Sequence, residues 1–364
     1  HSNIIGGSFA RTVPLAAAYI WMKRKACTLV VGVVGATGAV GEEMVKVLHD
    51  RSFPLEKLRL FASERSAGKK LATPYGEMEV ELFTVKAVQE CDFALMAVSG
   101  GFSTEYSPQI IANGKTVVID NSSAFRYKDD VPLVVPEVNA EVMKGKLLIA
   151  NPNCTTAIAA MALWPIHKKF TLRKAIISTY QAASGAGAEG MTELMEGVKQ
   201  QMAGEKVVNK VFAHPLPFNV IPHIDAFQEN GYTKEEMKVV WETQKIFGSS
   251  DIACSCTAVR IPTLRAHSEA ITIETAEDIS VEAARELLKA APGVKLVDNP
   301  AENIYPMPLN ASTKYDVEVG RIRQSLIFGS KGLDFFVSGD QLLRGAALNA
   351  VIIAEAKLTE NGAA

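Results

Sequence analysis

Thr28-Leu29-Val30-Val31-Gly32-Val33-Val34-Gly35-Ala36-Thr37-Gly38-Ala39-Val40-Gly41 runs without a charge from a valine-rich segment into a glycine-spaced turn. Residues 28–34 read as a strand buried in a parallel sheet, where apolar residues need not alternate. Residues 42–50 then place Met44, Val45, Val47 and Leu48 on one side of a helix. Strand, glycine turn and helix open a dinucleotide-binding fold. Glycines let the backbone approach a pyrophosphate, and the helix N-terminus offers N–H donors and the positive end of its dipole. The spacing is G-x-x-G-x-x-G rather than G-x-G-x-x-G, so the reading rests on the flanking strand and helix more than on the pattern. It makes Gly35, Thr37, Gly38, Ala39 and Val40 candidate cofactor contacts.

The alternation continues downstream. Residues 58–62, 92–98, 116–120 and 146–150 read as strands, and 104–113 as a helix stopped at Gly114. Strands alternating with helices predict an α/β unit with helices on both faces of a parallel sheet. The texture changes after Cys154. Longer strands are expected at 175–180, 252–261, 269–275 and 326–338, with helices at 233–246 and 280–291 and a last apolar helix at about 342–358. This second unit reads as α+β with an antiparallel or mixed sheet.

The bulk properties fit that picture and exclude others. A chain of 364 residues suits two domains. With 48% hydrophobic and 21% charged residues and a net charge of −2, it has the balance of a globular protein and no basic stripe for nucleic acid. No apolar run reaches the roughly 18 residues of a membrane span. Cys27, Cys91, Cys154, Cys254 and Cys256 are odd in number and lack zinc spacing, so neither a metal site nor a disulfide framework is expected. Cys254 and Cys256 alternate along one strand, face the same side and should not bridge. A reducing compartment fits best. No acid precedes Glu42, whereas Arg11, Lys23, Arg24 and Lys25 are basic. Residues 1–26 therefore read as an organelle-targeting leader or as upstream sequence without a role, and lie outside the fold reading.

Cofactor choice is read after the second strand. Ser63, Arg65 and Ser66 suit the 2′-phosphate of NADP, whereas Glu64 in the same loop would suit the free ribose of NAD. The balance favours NADP. The reactive centre is read at Asn151-Pro152-Asn153-Cys154-Thr155-Thr156, between an apolar strand and a helical pattern. A thiol at a helix N-terminus is expected to have a lowered pKa and to sit near donors for an oxyanion. The bland alternative is an inert buried cysteine. A nucleophilic cysteine also needs a base. Six histidines are available, and spacing alone does not choose among them, although His267 stands apart between two strand patterns with arginines nearby.

Taken together, the motifs are specific. The glycine turn, 63–68, Asn121-Ser122-Ser123-Ala124-Phe125-Arg126, Val134-Val135-Pro136-Glu137-Val138-Asn139, 151–155, 178–187, Glu235-Glu236-Met237-Lys238 and 260–268 occur in one order. The chain resembles the aspartate-semialdehyde dehydrogenase family from about Thr28 to Glu355. The resemblance implies Cys154 as nucleophile, His267 as general acid/base and Gln181 as the residue that orients substrate. It implies Arg260 for the substrate carboxylate, Glu235 for its ammonium, and Arg126 and Lys238 for phosphate, with Asn153 beside the thiol. Without the resemblance, Glu235 and Lys238 would read as a solvated helix pair. Ser184, Gly185 and Gln341 would join the NADP contacts.

The resemblance also implies a glyceraldehyde-3-phosphate dehydrogenase-like architecture. A Rossmann-type NADP-binding domain would comprise 27–153 and 340–364. An α+β catalytic and dimerisation domain with a mixed sheet would comprise 154–339. The expected activity is NADPH-dependent reductive dephosphorylation of L-4-aspartyl phosphate to L-aspartate 4-semialdehyde, in the pathway to lysine, threonine, methionine and isoleucine. The expected assembly is a homodimer or homotetramer, in a plastid stroma if 1–26 is a transit remnant and otherwise in the cytoplasm. The alternatives are an N-acetyl-glutamyl-phosphate reductase, a cysteine acyltransferase without hydride chemistry, and a non-catalytic NADP sensor.

Overall fold

The structure is a computed structural model that describes residues 29–362; the basic leader of 1–26 lies outside them. Its first sheet contains β1 (Leu29–Val34), β2 (Leu55–Ala62), β3 (Lys70–Thr73), β4 (Gly76–Leu82), β5 (Phe93–Met96), β6 (Val117–Asp120) and β7 (Leu148–Ala150). The strand order is β3-β4-β2-β1-β5-β6-β7. All pairings are parallel except the β3–β4 hairpin. Val31, Val33, Leu60, Leu95 and Ile119 are fully buried, as expected for strands covered on both faces. β1 has β2 on one side and β5 on the other, so the crevice beyond its carboxyl end is the switch point at which such sheets bind ligands. Helix α1 (Ala39–Asp50) follows and buries Met44, Val45, Val47 and Leu48, the face read from the sequence. Helix α2 (Gly100–Ile111) leads to β6, with Gly114 just beyond it at φ 70°.

Helix α3 (Cys154–Phe170) carries the chain from the first sheet to the second. The second sheet contains β8 (Leu172–Gln181), β9 (Ala253–Arg260), β10 (His267–Thr275), β11 (Val294–Leu296), β12 (Val317–Ser325) and β13 (Gly329–Gly339). Its order is β11-β12-β13-β10-β8-β9, with two parallel pairs among antiparallel ones. Residues Thr155 to Leu163 of α3 are all buried, because the helix lies between this sheet and two others. Those are α5 (Lys234–Phe247) and α6 (Val281–Ala290); α4 (Gly187–Met202) follows β8. The last helix, α7 (Leu348–Gly362), is entered through a π turn at Leu343–Ala347 and packs back on α1 and β6.

One expected strand needs correction. Residues 326–328 belong to the turn between β12 and β13, and Leu326 and Ile327 are 99% and 76% exposed. Their hydrophobicity marks an exposed hairpin tip. The strand before them, β12, escaped the sequence reading because Arg321, Arg323 and Gln324 face solvent in its second half.

Candidate active site

A cavity of about 280 Å³ opens between the two sheets. Val40, Arg126, Asn153 and Cys154 line it from the first half of the chain. Gln181, Ser184, Gly185, Glu235, Lys238 and Arg260 line it from the second, and Gln341 from the return to α7.

The sequence builds the nucleophile's setting locally. Asn153 caps α3, its Oδ1 accepting the Thr155 and Thr156 N–H groups at 3.0 and 3.3 Å, which makes Cys154 the first helical residue. Asn153 Nδ2 donates to Glu235 Oε1 at 3.0 Å, and its backbone N–H donates to Glu242 Oε2 at 2.6 Å. The π turn presses on the thiol residue from the other side. A Cβ on Gly345 would lie 2.6 Å from Cys154 Cβ and 2.9 Å from its Cα. Burial pushes the Cys154 thiol up to about 12, with the Glu235 carboxylate adding to the shift and Arg126 and Arg260 opposing it. The expected lowering of the thiol pKa is therefore corrected: desolvation and a nearby carboxylate outweigh the favourable helix end.

His267 begins β10 and is fully buried. Its Nδ1 accepts the Ala182 N–H at 3.1 Å, which puts the proton of the neutral ring on Nε2. That edge faces Gln181 Nε2 at 3.4 Å. Burial, and then the Arg260 charge, hold the imidazole well below its usual pKa. A Cβ on Gly185 would lie 3.2 Å from His267 Cε1 and 2.7 Å from Arg260 Nη1, so only glycine lets this turn pass between pocket and imidazole. His267 thus stands behind Gly185 and Gln181 rather than in the cavity wall. Among the described histidines the remaining four sit elsewhere: His49 and His214 are exposed, His167 stacks on Trp164 and His223 on Phe227.

The charged residues converge as the sequence motifs implied, but as a network. Glu235 and Lys238 pair at 3.0 Å with side chains only 8% and 13% exposed, so the solvated-pair reading is set aside. Lys238 also meets Asp225 at 2.8 Å, and Glu235 Oε1 accepts from Gln181 at 3.2 Å. The buried Arg260 donates from Nη1 to the Ala182 carbonyl at 2.6 Å and has no carboxylate partner among the described residues. Arg126 donates from Nε to Asn151 O and from Nη2 to Asn121 O, both at 2.9 Å, and from Nη1 to Glu242 Oε1 at 3.1 Å.

Glu242 and Gly345 are the residues the sequence reading missed. The signal for Glu242 was its spacing: Glu235, Lys238, Glu242 and Lys245 follow one another at helical intervals on one face of α5. Gly345 had no local signal, because its reason lies in a contact with a residue far away in sequence.

The glycine turn fits a dinucleotide. Gly35 has φ 83°, and a Cβ there would lie 2.2 Å from Ala97 O; one on Gly41 would lie 2.3 Å from Gly35 O. No side chain caps Gly38, which leaves the first-turn N–H groups of α1, around Thr37, Ala39 and Val40, to an anion. The Gly35 N–H donates to Phe61 O at 2.8 Å, which brings the end of β2 beside the turn. There the Ser66 N–H closes on Ser63 O at 2.9 Å, with Ser63, Glu64 and Arg65 exposed and Ser66 buried. Ser184 and Gly185 lie in the single turn Ala183–Ala186. The Gln341 amide donates to Ser184 Oγ and accepts the Ala266 N–H at 2.8 Å. The crevice thus continues from the glycine turn, at Val40, to the thiol. Among the described residues no cluster of His, Cys, Asp or Glu could hold a metal ion.

Comparison with known proteins agrees with this geometry. Residues 30–146 match the semialdehyde dehydrogenase NAD binding domain family, and 163–344 match the semialdehyde dehydrogenase dimerisation domain family. The aspartate-semialdehyde dehydrogenase of Aquifex aeolicus is 47% identical, covering 91% of this chain and 98% of that one. The Synechocystis sp. enzyme of the same name is 44% identical with the same coverage. Among solved structures, aspartate semialdehyde dehydrogenase II from Vibrio cholerae, complexed with ASA, superposes with a TM-score of 0.87 at 39% identity. That match covers 92% of this chain and 99% of the other.

Proposed function

The chain belongs to the aspartate-semialdehyde dehydrogenase family, and we propose that it interconverts L-4-aspartyl phosphate and L-aspartate 4-semialdehyde with NADP as its dinucleotide. The observation that carries this reading is one cavity joining Cys154 to Gln181, Arg126, Glu235, Lys238 and Arg260 and reaching Val40 of the glycine turn.

In the reductive direction the Cys154 thiolate attacks the acyl carbon of the phosphorylated substrate. The carbon–oxygen bond to phosphate breaks, phosphate leaves with the electron pair, and a thioester on Cys154 remains. Gly35, Gly38 and the first turn of α1 would hold NADPH, with Ser63, Arg65 and Ser66 suited to its 2′-phosphate, and the dinucleotide would supply a hydride for reduction of the thioester. Collapse of the resulting thiohemiacetal returns the thiolate and releases the aldehyde. His267 takes and returns protons in these steps. With Nδ1 accepting the Ala182 N–H, the neutral ring presents Nε2–H as a proton donor, and taking a proton at Nε2 requires the other tautomer, with Nδ1 protonated and released from Ala182. Gln181, held by Thr179 at 3.1 Å, orients the substrate.

Arg260, with its fork free of carboxylates, suits the substrate's α-carboxylate through two parallel hydrogen bonds. Glu235 suits the ammonium, and Arg126 and Lys238 the phosphate. An N-acetylated substrate would bring no ammonium to Glu235, which separates this reading from an N-acetyl-glutamyl-phosphate reductase.

The assembly we propose is a homodimer through the outer face of the second sheet. Ile176 and Tyr180 of β8 are 45% and 38% exposed there, and the Tyr180 ring meets Phe336 of β13 at 5.9 Å. A sheet face bearing such residues suits a second copy.

The test is NADPH formation from L-aspartate 4-semialdehyde, NADP and phosphate, set against NAD and against N-acetyl-glutamate semialdehyde. Turnover that ignores phosphate, or a preference for the acetylated aldehyde, would refute the assignment. A higher kcat/KM with NAD would refute the NADP reading alone.

A further inference from the structure

Glu242 has no place in the reaction as written, yet it is wholly buried behind two residues that line the cavity, Arg126 and Asn153. Three donors converge on its carboxylate and no acceptor does: Arg126 Nη1 and Tyr127 OH at 3.1 Å on Oε1, and the Asn153 N–H at 2.6 Å on Oε2. This is the surrounding of an ionised carboxylate. Arg126 does not need Glu242 for its orientation. Its guanidinium plane is already fixed by the carbonyls of Asn151 and Asn121, at two different nitrogens. The loop that carries it is pinned as well, because Lys245 Nζ, one turn further along α5, donates to the carbonyls of Arg126, Lys128 and Val131 at 2.9, 2.7 and 3.0 Å. What the two carbonyls cannot supply is a countercharge.

Resting on the proposed reaction, we propose that Glu242 is the residue that tunes phosphate affinity: it draws off part of the Arg126 charge so that phosphate is held firmly enough to react and loosely enough to leave. It acts through Arg126 and touches no reacting atom, so it is a positioning and charge-setting residue rather than a catalytic one. Tyr127 trims the same effect. Its ring packs edge-on against Trp241 at 5.4 Å between centroids, and its hydroxyl donates to Glu242, dispersing part of that charge.

The sign of the expected change separates this role from a merely structural one, since damage to a site weakens a ligand whereas loss of a countercharge tightens it. In the full-length enzyme with NADP and L-aspartate 4-semialdehyde, Glu242→Gln should lower the KM for inorganic phosphate at least about fivefold, the scale of one charge acting across a few ångströms of protein. The KM for the aldehyde should change less than about twofold, and in the reductive direction, where phosphate leaves, kcat should fall as its release slows. Calorimetric titration of the NADP complex with inorganic phosphate should show the same tightening. A phosphate KM that is unchanged or raised would overturn the proposal.

Removing Glu242 also leaves a buried arginine without its partner, which can cost the fold itself. Tyr127→Phe, at a residue 40% exposed, keeps the test alive. It leaves the full Glu242 charge on Arg126 and should raise the phosphate KM about twofold, the opposite direction, for loss of one hydrogen bond to a charged group. No change, or a lower value, would overturn the proposal on that arm. Phosphate-dependent turnover by the unaltered enzyme is the control. Its absence would refute the proposed reaction, whereas its presence with the wrong response at Glu242 and Tyr127 refutes only this inference.

Discussion

Replacing Gly345 by alanine tests whether the π turn holds the nucleophile in place. The new Cβ would stand 2.6 Å from Cys154 Cβ, and an ordinary contact begins at 3.4 Å, so the two residues must separate by about 0.8 Å. Neither side gives easily. The Cys154 atoms struck are its Cβ and its backbone Cα, and the adjacent turn is tied down by Asn151 Nδ2, which donates to Ala346 O at 3.1 Å. A displacement of nearly an ångström at a reacting atom costs on the order of a hundredfold in rate. Overpacking a close contact also destabilises a fold by about 1–3 kcal/mol. The expectation is therefore a kcat roughly a hundredfold lower with a protein that still folds. NADP affinity, read by fluorescence titration, should change far less than kcat, because the atoms struck belong to Cys154 and not to the glycine turn, although the π turn also packs on α1. Single-turnover kinetics should place the loss before product release. A kcat within about threefold of the unaltered enzyme would show that the turn yields freely and would refute the argument.

Three further substitutions test the electrostatics. Glu235→Gln should speed alkylation of Cys154 by iodoacetamide at pH 8 at least about twofold, since removing a neighbouring anion favours the thiolate; an unchanged rate would remove Glu235 as a cause of the raised thiol pKa. Arg260→Lys should chiefly raise the KM for the amino-acid substrate, because an ammonium cannot reproduce the two-pronged geometry; an unaltered KM would take Arg260 out of the carboxylate subsite. Glu269 is fully buried with no hydrogen-bond partner on either oxygen among the described residues, and burial holds its pKa well above 4.5. The folded state thus favours the protonated form, and the penalty grows as pH rises above the unfolded value. Glu269→Gln should raise the Tm at pH 7, with the advantage shrinking as pH falls toward 4.5; a pH-independent difference would contradict this.

The first sheet was legible because its signals are local. An unalternated valine run, three spaced glycines and a helix with one apolar face each announce themselves within a dozen residues. The β3–β4 hairpin was not, since Glu77, Glu79 and Glu81 alternate along β4 and only Val80 between them is buried, so no apolar pattern announces the strand. The 326–328 tip failed for the converse reason: apolar residues there are exposed. In the site, Cys154 and its cap could be read from Asn153 and the helix that follows. The choice of His267 among six histidines could not, because it depends on register. Pairing of β8 with β10 sets Ser268 opposite Tyr180, which brings His267 to the end of the sheet at Gln181 and Ala182. A one-residue slip would turn the imidazole to the opposite face.

The same dependence on long-range placement explains why the charges read one by one as substrate contacts turn out to be partnered. Along α5, Glu235, Lys238, Glu242 and Lys245 follow one another in alternating sign, and each has at least two partners in the structure. Two buried carboxylates and two half-buried ammonium groups on one helical face are tolerable only if each is compensated. The compensation defines what the cavity can accept. Glu235 raises the Cys154 thiol pKa, and an ammonium brought to Glu235 offsets the same charge. Burial is the larger reason the thiol stays protonated; under the proposed reaction a substrate with a free amine would relieve the Glu235 part of it, whereas an acetylated one would not. Under the proposed reaction, substrate choice and nucleophile activation would depend on a single carboxylate, and the helix that carries it also carries the countercharge for Arg126. In this site the selectivity lies in the pairing of the charged residues, which is why residue types alone were not enough to read it.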